Sequence, residues 1–337
     1  MHTLWLLWNL YEKGMWGNII NSDPLNQLYF YKYRINLEAK EGTSLPLYQG
    51  SALRGAFGKA LKQAVCITRK ASRCDECVLE HKCVYSSIME TPLPEGHPDH
   101  RKYKNAPHPY LIIPSRTPKR FYKPGDPFSF DIVLIGKANE YLPYFIFAFT
   151  EMGKIGLGKD RGTFEVVSVE AVNAEGVRVE VFREGRLIAP TENKIGFISF
   201  EKRGESGDTI TLFFETPVRI KVENRLAPAI PFQLLIQRLS ERAFLLAHFH
   251  CGADLGDFGE FARDAEPVRT MSNKLRWMDW ERYSNRQQTK MKFGGWVGEI
   301  TYQGDFQKYI PLLRFGEHIH VGKATTFGLG KYRVVGL

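Results

Sequence analysis

The sequence lacks any run of about 20 uninterrupted apolar residues, which is the length that a helix needs to cross a bilayer. A short apolar stretch at 4–8 has no basic region before it and no small-residue cleavage site after it, so it does not resemble a secretory signal. We therefore expect a cytoplasmic protein with no membrane partner, in which residues 1–28 form an N-terminal arm.

The sequence also lacks the usual phosphate-binding motifs of nucleotide enzymes. Its glycine-rich runs match neither GxxxxGK[ST] before a helix nor a dinucleotide fingerprint between a strand and a helix. Nor is there an extreme of charge, since 46 Lys and Arg against 37 Asp and Glu give a net charge of +9. This excess is compatible with a polyanionic partner but does not by itself identify one.

What the sequence does contain is an internal duplication. Three pairs of identical residues recur at a separation of 168, about half of the 337 residues: Gly136/Gly304, Tyr141/Tyr309 and Pro143/Pro311. Each set is followed by a Gly-Lys pair and then by a Gly-Leu-Gly-Lys run. Two units are too few for a solenoid, so the repeat predicts two related globular domains.

Hydrophobic periodicity gives each half the same order of elements. In the first half Ser51 is the predicted N-cap of the first helix, and the predicted elements are a strand at 29–38, a helix at 53–65, a strand at 128–135, a helix at 141–152 and a strand at 163–169. In the second half they are a strand at 210–214, a helix opened by Pro231, a strand at 296–302, a helix at 306–315 and a strand at 332–335.

Both halves are thus predicted as βα(β)βαβ, in which the second strand has the weakest pattern. This is the ferredoxin-like, α+β arrangement that RNA-recognition (RRM-like) folds also use. Half of the 18 prolines lie between 92 and 127 and predict an irregular insertion, which together with the cysteines spans 66–127. The predicted domains are 29–190, containing that insertion, and 191–337, ending in a C-terminal glycine-rich loop.

An ordered set of motifs resembles the RAMP superfamily of CRISPR-associated proteins. HVGKATTFGLGKY near the C-terminus looks like the signature loop of that superfamily. RYSNRQ, GGWVGEITYQGDF and PLLRFGEHIHVGK are similar to the C-terminal half of its pre-crRNA-processing endoribonucleases, and LPLYQGSALRGAFG and MGKIGLGKDRGTF fit upstream. The resemblance covers residues 29–337.

The resemblance implies two tandem ferredoxin-like domains that hold a CRISPR repeat RNA and cut it without a catalytic metal. In such cleavage the 2′-hydroxyl attacks its own phosphate while a base and an acid transfer protons and cations offset the charge of the phosphorane. The main alternative is a non-catalytic RAMP subunit that binds crRNA among other CRISPR effector subunits. A weaker alternative is a zinc-binding protein that contacts DNA.

The predicted catalytic residues are His320, Arg54 and Lys323. Histidine is the usual proton shuttle near pH 7, and His320 lies two residues before the Gly322-Lys323 pair of the signature loop. In the family resembled, catalytic residues commonly lie on or near the first helix, where this chain offers Arg54 but no histidine. Alternatively, His320 contacts the loop or the RNA without transferring a proton.

The predicted RNA-binding residues come from the two glycine-rich loops and from a segment at 276–296 that interleaves aromatic and basic side chains. Aromatic faces stack on bases while cationic groups pair with phosphates. These residues are Lys154, Lys159, Arg276, Arg282, Tyr283, Arg286, Lys290 and Lys331. A hairpin with core aromatic residues and solvated charges is the alternative for that segment.

Four of the five cysteines form a C-x7-C-x2-C-x5-C cluster. These are Cys66, Cys74, Cys77 and Cys83. Four thiols in one short loop predict a structural tetrahedral zinc site, with an iron–sulfur cluster as the alternative and His81 as a substitute for one cysteine. Disulfides are disfavoured because nothing indicates an oxidising compartment.

Overall fold

The computed structural model describes residues 23–68, 73–93, 95–116, 119–188, 193–200, 207–279, 281–284 and 289–335, with only the backbone described at 281–284 and 289–292. Two larger antiparallel sheets, three two-stranded sheets and the helices make up this part of the chain. None of its helices combines the length and the apolar character that crossing a bilayer requires.

The first unit is built on the longer sheet. Its elements are β1 (Tyr29–Ala39), β2 (Thr43–Ser44), α1 (Gly50–Val65), α2 (Val84–Met89), β3 (Tyr110–Pro114), β4 (Phe121–Tyr122), β5 (Pro127–Ile135), α3 (Leu142–Ile155), β6 (Phe164–Val172), β7 (Arg178–Arg183), β8 (Arg186–Leu187) and β9 (Ile195–Gly196). The sheet runs β3-β5-β1-β6-β7-β8, β9 pairs with β1, and β2 and β4 form a separate pair. The four strands β3-β5-β1-β6, with α1 and α3, have the ferredoxin-like order.

The second unit repeats this arrangement on a four-stranded sheet. Its elements are β10 (Thr209–Val218), β11 (Lys221–Val222), β12 (Arg225–Leu226), α4 (Phe232–Cys251), α5 (Phe258–Asp264), β13 (Arg269–Met278), β14 (Glu281–Ser284), β15 (Thr289–Lys292), β16 (Gly295–Gln303), α6 (Ile310–Ile319) and β17 (Tyr332–Val335). The sheet order is β13-β16-β10-β17, so strands and helices follow the path of the first unit.

The residues that repeat in the sequence occupy equivalent turns in the two units. Gly136 and Gly304 both have positive φ, 58° and 154°, where a strand ends and the chain turns towards the next helix. Pro143 and Pro311 then lie in the first turns of α3 and α6. Proline suits that position because its missing N–H has no acceptor there in any helix.

Alternating apolar residues fix how the first helices pack on the first sheet. Tyr33, Ile35 and Leu37 point from β1 towards the helices and are buried. Phe57 of α1 stacks on Phe145 of α3 with ring centroids 4.9 Å apart, which joins the two helices over the sheet. The apolar face of α1, which follows a 3.6-residue period, and that of β1, which follows a two-residue period, therefore pack into one core.

Two details of the sequence interpretation are corrected by the structure. Helix α1 begins at Gly50 with Gln49 in the N-cap position, so Ser51 is not the cap. The predicted irregular insertion 66–127 contains α2, β4 and the second strand of the unit, β3. The sequence YLIIP of β3 is buried at four of its five positions and therefore shows no alternation.

The two units share a continuous apolar core. Phe30 and Val133 lie on the face of the first sheet opposite α1 and α3. They cluster there with Phe315 and Ile319 of α6. The rings of Phe30 and Phe315 meet edge to face at 5.3 Å. The predicted domain boundary at 190/191 lies outside the described residues and stays a prediction.

Candidate nucleic-acid interface

The C-terminal loop, Gly322–Lys331, is anchored on the end of β10. Lys323 donates its backbone N–H to the carbonyl oxygen of Arg219 at 2.9 Å, and Gly330 donates to Pro217 at 3.0 Å. Val321 donates to Gly330 at 3.1 Å and closes the base of the loop. The loop is therefore a rigid part of the second unit.

The same loop contacts the first unit at the start of α1. The hydroxyl of Tyr48 donates to the carbonyl oxygen of Phe327 at 2.6 Å. The helix can come this close because residue 50 is glycine, where a Cβ atom would lie 2.0 Å from that same oxygen. We call this contact between 48–54 and the C-terminal loop the junction.

Aromatic rings and guanidinium groups alternate across the junction. The guanidinium of Arg54 lies 5.2 Å from the ring centroid of Phe327, which meets Phe293 edge to face at 5.7 Å. The guanidinium of Arg219 lies 5.3 Å from Phe293 on the far side. Interleaved cations and rings suit a nucleic acid, whose phosphates and bases need both kinds of contact.

The junction is flanked by a basic cluster around one carboxylate. Glu215 is approached by Lys331 at 3.0 Å, Arg116 at 3.4 Å and Arg333 at 3.6 Å. Three cations share one anion, so the cluster keeps a net positive charge. Lys323 is exposed in the same C-terminal loop as Lys331.

The glycines of the C-terminal loop pack against the protein itself. A Cβ atom on Gly322 would lie 2.6 Å from the carbonyl oxygen of Arg219, and one on Gly330 would lie 1.9 Å from that of Val321. In the first glycine-rich loop, Gly158 faces the carbonyl oxygen of Ser44 in the same way, at 2.3 Å. These glycines are thus required by close packing of the loops.

His320 lies inside the protein beneath the C-terminal loop. Its side chain is fully buried, and Nδ1 donates to the carbonyl oxygen of Leu329 at 3.1 Å while Nε2 has no hydrogen-bond partner among the described residues. Burial and the nearby Lys331 hold its pKa well below the usual value, so the ring is neutral at physiological pH. In this position His320 supports the loop at Leu329 and offers no atom to an RNA.

Two replacements of His320 should distinguish a role in supporting the loop from a role in proton transfer. In His320→Ala the Leu329 carbonyl loses its donor and a cavity opens, which should lower the free energy of unfolding by about 2–3 kcal/mol. His320→Asn restores an N–H donor, so it should recover most of the stability, and of any RNA cleavage that the protein performs. Equal inactivity of both variants at wild-type stability would indicate proton transfer instead.

The structure brings three of the predicted site residues together at or beside the junction, namely Arg54, Lys323 and Lys331. Lys154 is exposed in the last turn of α3, where it pairs with Glu151 at 2.7 Å, and Lys159 is exposed on the first glycine-rich loop. Their contact with RNA stays a prediction.

The other predicted RNA-binding residues belong to the aromatic and basic segment. Arg276 is exposed on β13. The adjacent Trp277 packs edge to face on Trp296 at 5.2 Å. The side chains of Arg282, Tyr283 and Lys290 and the whole of Arg286 lie outside the described part of the chain.

Sequence reasoning missed Phe327, Arg219 and Glu215 as parts of the site. Phe327 lies inside the signature loop, so the motif itself was a signal. Tyr48, whose hydroxyl donates to the Phe327 carbonyl oxygen, is 279 residues away in the chain, and no spacing rule connects two such positions.

The four clustered cysteines line one cavity between the end of α1 and the start of α2. All four are free thiols, and the Thr68 hydroxyl lies 3.1 Å from the sulfur of Cys77. That hydrogen bond lowers the pKa of Cys77, whereas burial raises the pKa of Cys74. Among the described residues no three of these sulfur atoms lie within 4.8 Å of one another, so a structural zinc ion held by them stays a prediction.

Comparison with known proteins follows the division into two units. Residues 28–193 match the family model of the AF_1859 N-terminal domain, and residues 212–332 match that of the CRISPR-associated endoribonuclease Cas6. An uncharacterized protein of Archaeoglobus fulgidus is 25% identical over 315 residues, which cover 91% of this chain and 95% of that protein.

Solved structures show the same fold at low sequence identity. A Cas6 product complex superposes with a TM-score of 0.55 at 15% identity, over 91% of this chain and 99% of that one. Thermus thermophilus Cas6 gives a TM-score of 0.53 at 14% identity, with the same coverage. The fold and the junction thus define a protein of two ferredoxin-like units with a basic, aromatic contact between them. The second of these units, at 212–332, is similar in sequence to the CRISPR-associated endoribonuclease Cas6.

Proposed function

We propose that this protein binds CRISPR repeat RNA across the junction and cleaves it during pre-crRNA processing. The single observation that carries the proposal is the contact between the C-terminal loop, which includes Lys323, and the start of α1, from which Arg54 extends over Phe327. The match of 212–332 to a family of endoribonucleases supports the reaction.

The proposed reaction is a metal-independent transesterification. The 2′-hydroxyl loses its proton and attacks the adjacent phosphorus, and the bond to the leaving 5′-oxygen breaks as that oxygen gains a proton. The products are a 2′,3′-cyclic phosphate and a 5′-hydroxyl. Arg54 and Lys323 would offset the charge that develops on the phosphorane, the kind of contact that strengthens in the transition state.

Incubation of the pure protein with the repeat RNA of its own locus in excess EDTA tests this proposal. We expect cleavage at one position, and no cleavage when the nucleotide 5′ of that position carries a 2′-deoxy sugar. Circular dichroism of the EDTA-treated protein controls for loss of fold. Cleavage of the 2′-deoxy RNA, or a strict need for added Mg²⁺, would contradict the mechanism.

A non-catalytic subunit that holds crRNA among other CRISPR effector subunits is the second candidate function. The observation that favours it is the burial of His320, which removes the histidine nearest to the loop from contact with RNA. Tight binding of intact repeat RNA in the same assay, with no cut under any condition, would establish this alternative.

Binding of RNA through Lys323 should be visible in the salt dependence of affinity. We expect Lys323→Ala to weaken binding and to reduce the slope of log K against log[salt] by about 0.7, the contribution of one phosphate contact on a single strand. Arg186→Ala is the matched control, because Arg186 is exposed on the edge strand β8. An unchanged slope for Lys323→Ala would mean that this lysine contacts no phosphate.

We also propose that Cys66, Cys74, Cys77 and Cys83 hold one structural zinc ion. Four protein ligands leave no open position for a substrate, so the ion would stabilise the segment between α1 and α2 and take no part in cleavage. Metal analysis should find one equivalent of zinc fewer in Cys74→Ser than in the wild-type protein. A brown colour from visible absorbance would indicate an iron–sulfur cluster instead.

A further inference from the structure

A second group of metal-binding side chains lies where the two units meet, apart from the cysteines. His97 precedes a short 3₁₀ helix, Pro98–Arg101, that carries Asp99, and His248 is in the last turn of α4. Asp99 Oδ2 is 3.1 Å from His248 Nε2 and 3.6 Å from His97 Nδ1. One ligand atom from each residue lies within 4.8 Å of the other two.

The hydrogen bonds of His248 show which of its ring nitrogens carries a hydrogen and which has a lone pair. Nδ1 is 2.8 Å from the carbonyl oxygen of Ala253, which can only accept, so Nδ1 carries a hydrogen. In the neutral ring Nε2 then has a lone pair, and this lone pair faces a carboxylate oxygen. Two acceptors at 3.1 Å repel each other unless a positive charge lies between them.

The geometry of the three residues suits a tetrahedral ion. Ligands at 2.0–2.1 Å from a tetrahedral centre are about 3.3 Å apart, and the distances of 3.1 and 3.6 Å lie on either side of this value. A histidine that donates its other N–H to a backbone carbonyl is the usual arrangement around zinc. His97 Nδ1 now accepts the backbone N–H of Asp99 at 3.2 Å, a long hydrogen bond that coordination would replace.

We infer that His97, Asp99 and His248 bind one divalent cation, with zinc preferred over magnesium or calcium. Two imidazoles and one carboxylate favour zinc, whereas the alkaline-earth ions prefer all-oxygen sites. The helix end adds to the attraction, because the C-terminus of α4 carries partial negative charge. The ion would fasten the segment between α2 and β3 to α4 and so hold the two units together.

Zinc binding to the metal-free protein tests this inference. The three side chains are only 16–22% exposed, so an ion bound there should exchange slowly and survive gel filtration. We expect Asp99→Asn, which keeps the shape of the side chain, to lose one equivalent of zinc per chain or to bind it at least 100-fold more weakly. His100→Ala is the matched control, because His100 is exposed in the same 3₁₀ helix.

The cysteine cluster must be separated from this measurement. The loss of one equivalent through Asp99→Asn should therefore recur in a Cys74→Ser background, and Co²⁺ bound there should lack the strong absorbance of cobalt–thiolate bonds. If the Cys74→Ser protein does not fold, zinc is counted in proteins that keep all four cysteines. The wild type should then hold two equivalents per chain and Asp99→Asn one. Equal zinc content of Asp99→Asn and wild type would overturn the inference and leave a proton between His248 and Asp99.

Discussion

Replacement of Arg54 by Ala is expected to lower the rate of single-turnover cleavage of repeat RNA about 100-fold. Arg54 extends from the first helix over Phe327 of the C-terminal loop, and in the proposed mechanism its cation would offset the charge of the phosphorane. Loss of one donor to a transition-state oxyanion typically costs a factor of about 10²–10³, or roughly 3 kcal/mol. Quench measurements at saturating protein report this rate without the influence of product release.

Two variants distinguish chemistry at Arg54 from a general loss of positive charge. Lys59→Ala removes an exposed cation from the same helix and should leave the rate within about twofold of wild type. Arg54→Lys keeps the charge but loses the planar fork and the stacking on Phe327, so its rate should lie between those of Arg54→Ala and wild type. Wild-type cleavage by Arg54→Ala would exclude this arginine from the mechanism.

Replacement of Gly330 by Ala is expected to have the largest effect on stability. The new Cβ atom would lie 1.9 Å from the carbonyl oxygen of Val321, and the backbone at φ of 71° disfavours any side chain. Rearrangement of the loop should lower the free energy of unfolding by about 3 kcal/mol or more, which corresponds to a fall in Tm of roughly 10 °C. Thermal unfolding followed by circular dichroism measures it.

Gly55→Ala is the matched control for Gly330→Ala. Gly55 is exposed in α1, and a Cβ atom there would have no neighbour within 4 Å. Alanine is the better helix former by about 1 kcal/mol, so this variant should be slightly more stable than wild type. A Gly330→Ala protein as stable as Gly55→Ala would mean that the loop adapts easily and is not the rigid element described above.

The sequence predicted the elements whose periodicity is strong. Residues 29–38 alternate cleanly and form β1, and Pro231 does precede the long helix α4. The strand β3 was missed because both of its faces are covered, which erases the alternation, and because prolines surround it. In both units the second strand was the element without a clear pattern.

The candidate site was predictable only in part, because burial is a property of tertiary packing. His320 is next to a motif that suggests contact with RNA, yet α6 ends at Ile319 and the positive φ of 59° at His320 turns the chain so that the ring lies inside. Arg54 was named from the family resembled. Its neighbour Phe327 belongs to the other unit, and a single sequence does not reveal such a contact.

The most direct test of the central claim is to map the contacts of bound repeat RNA by ultraviolet crosslinking and mass spectrometry of the peptides. If the RNA crosses the junction, crosslinked peptides should come from 48–54 and 322–331, and the adduct at Phe327 should disappear with an RNA that does not bind. Crosslinks confined to β7 and β8 at one side of the first sheet, with none in either junction segment, would contradict the proposed interface.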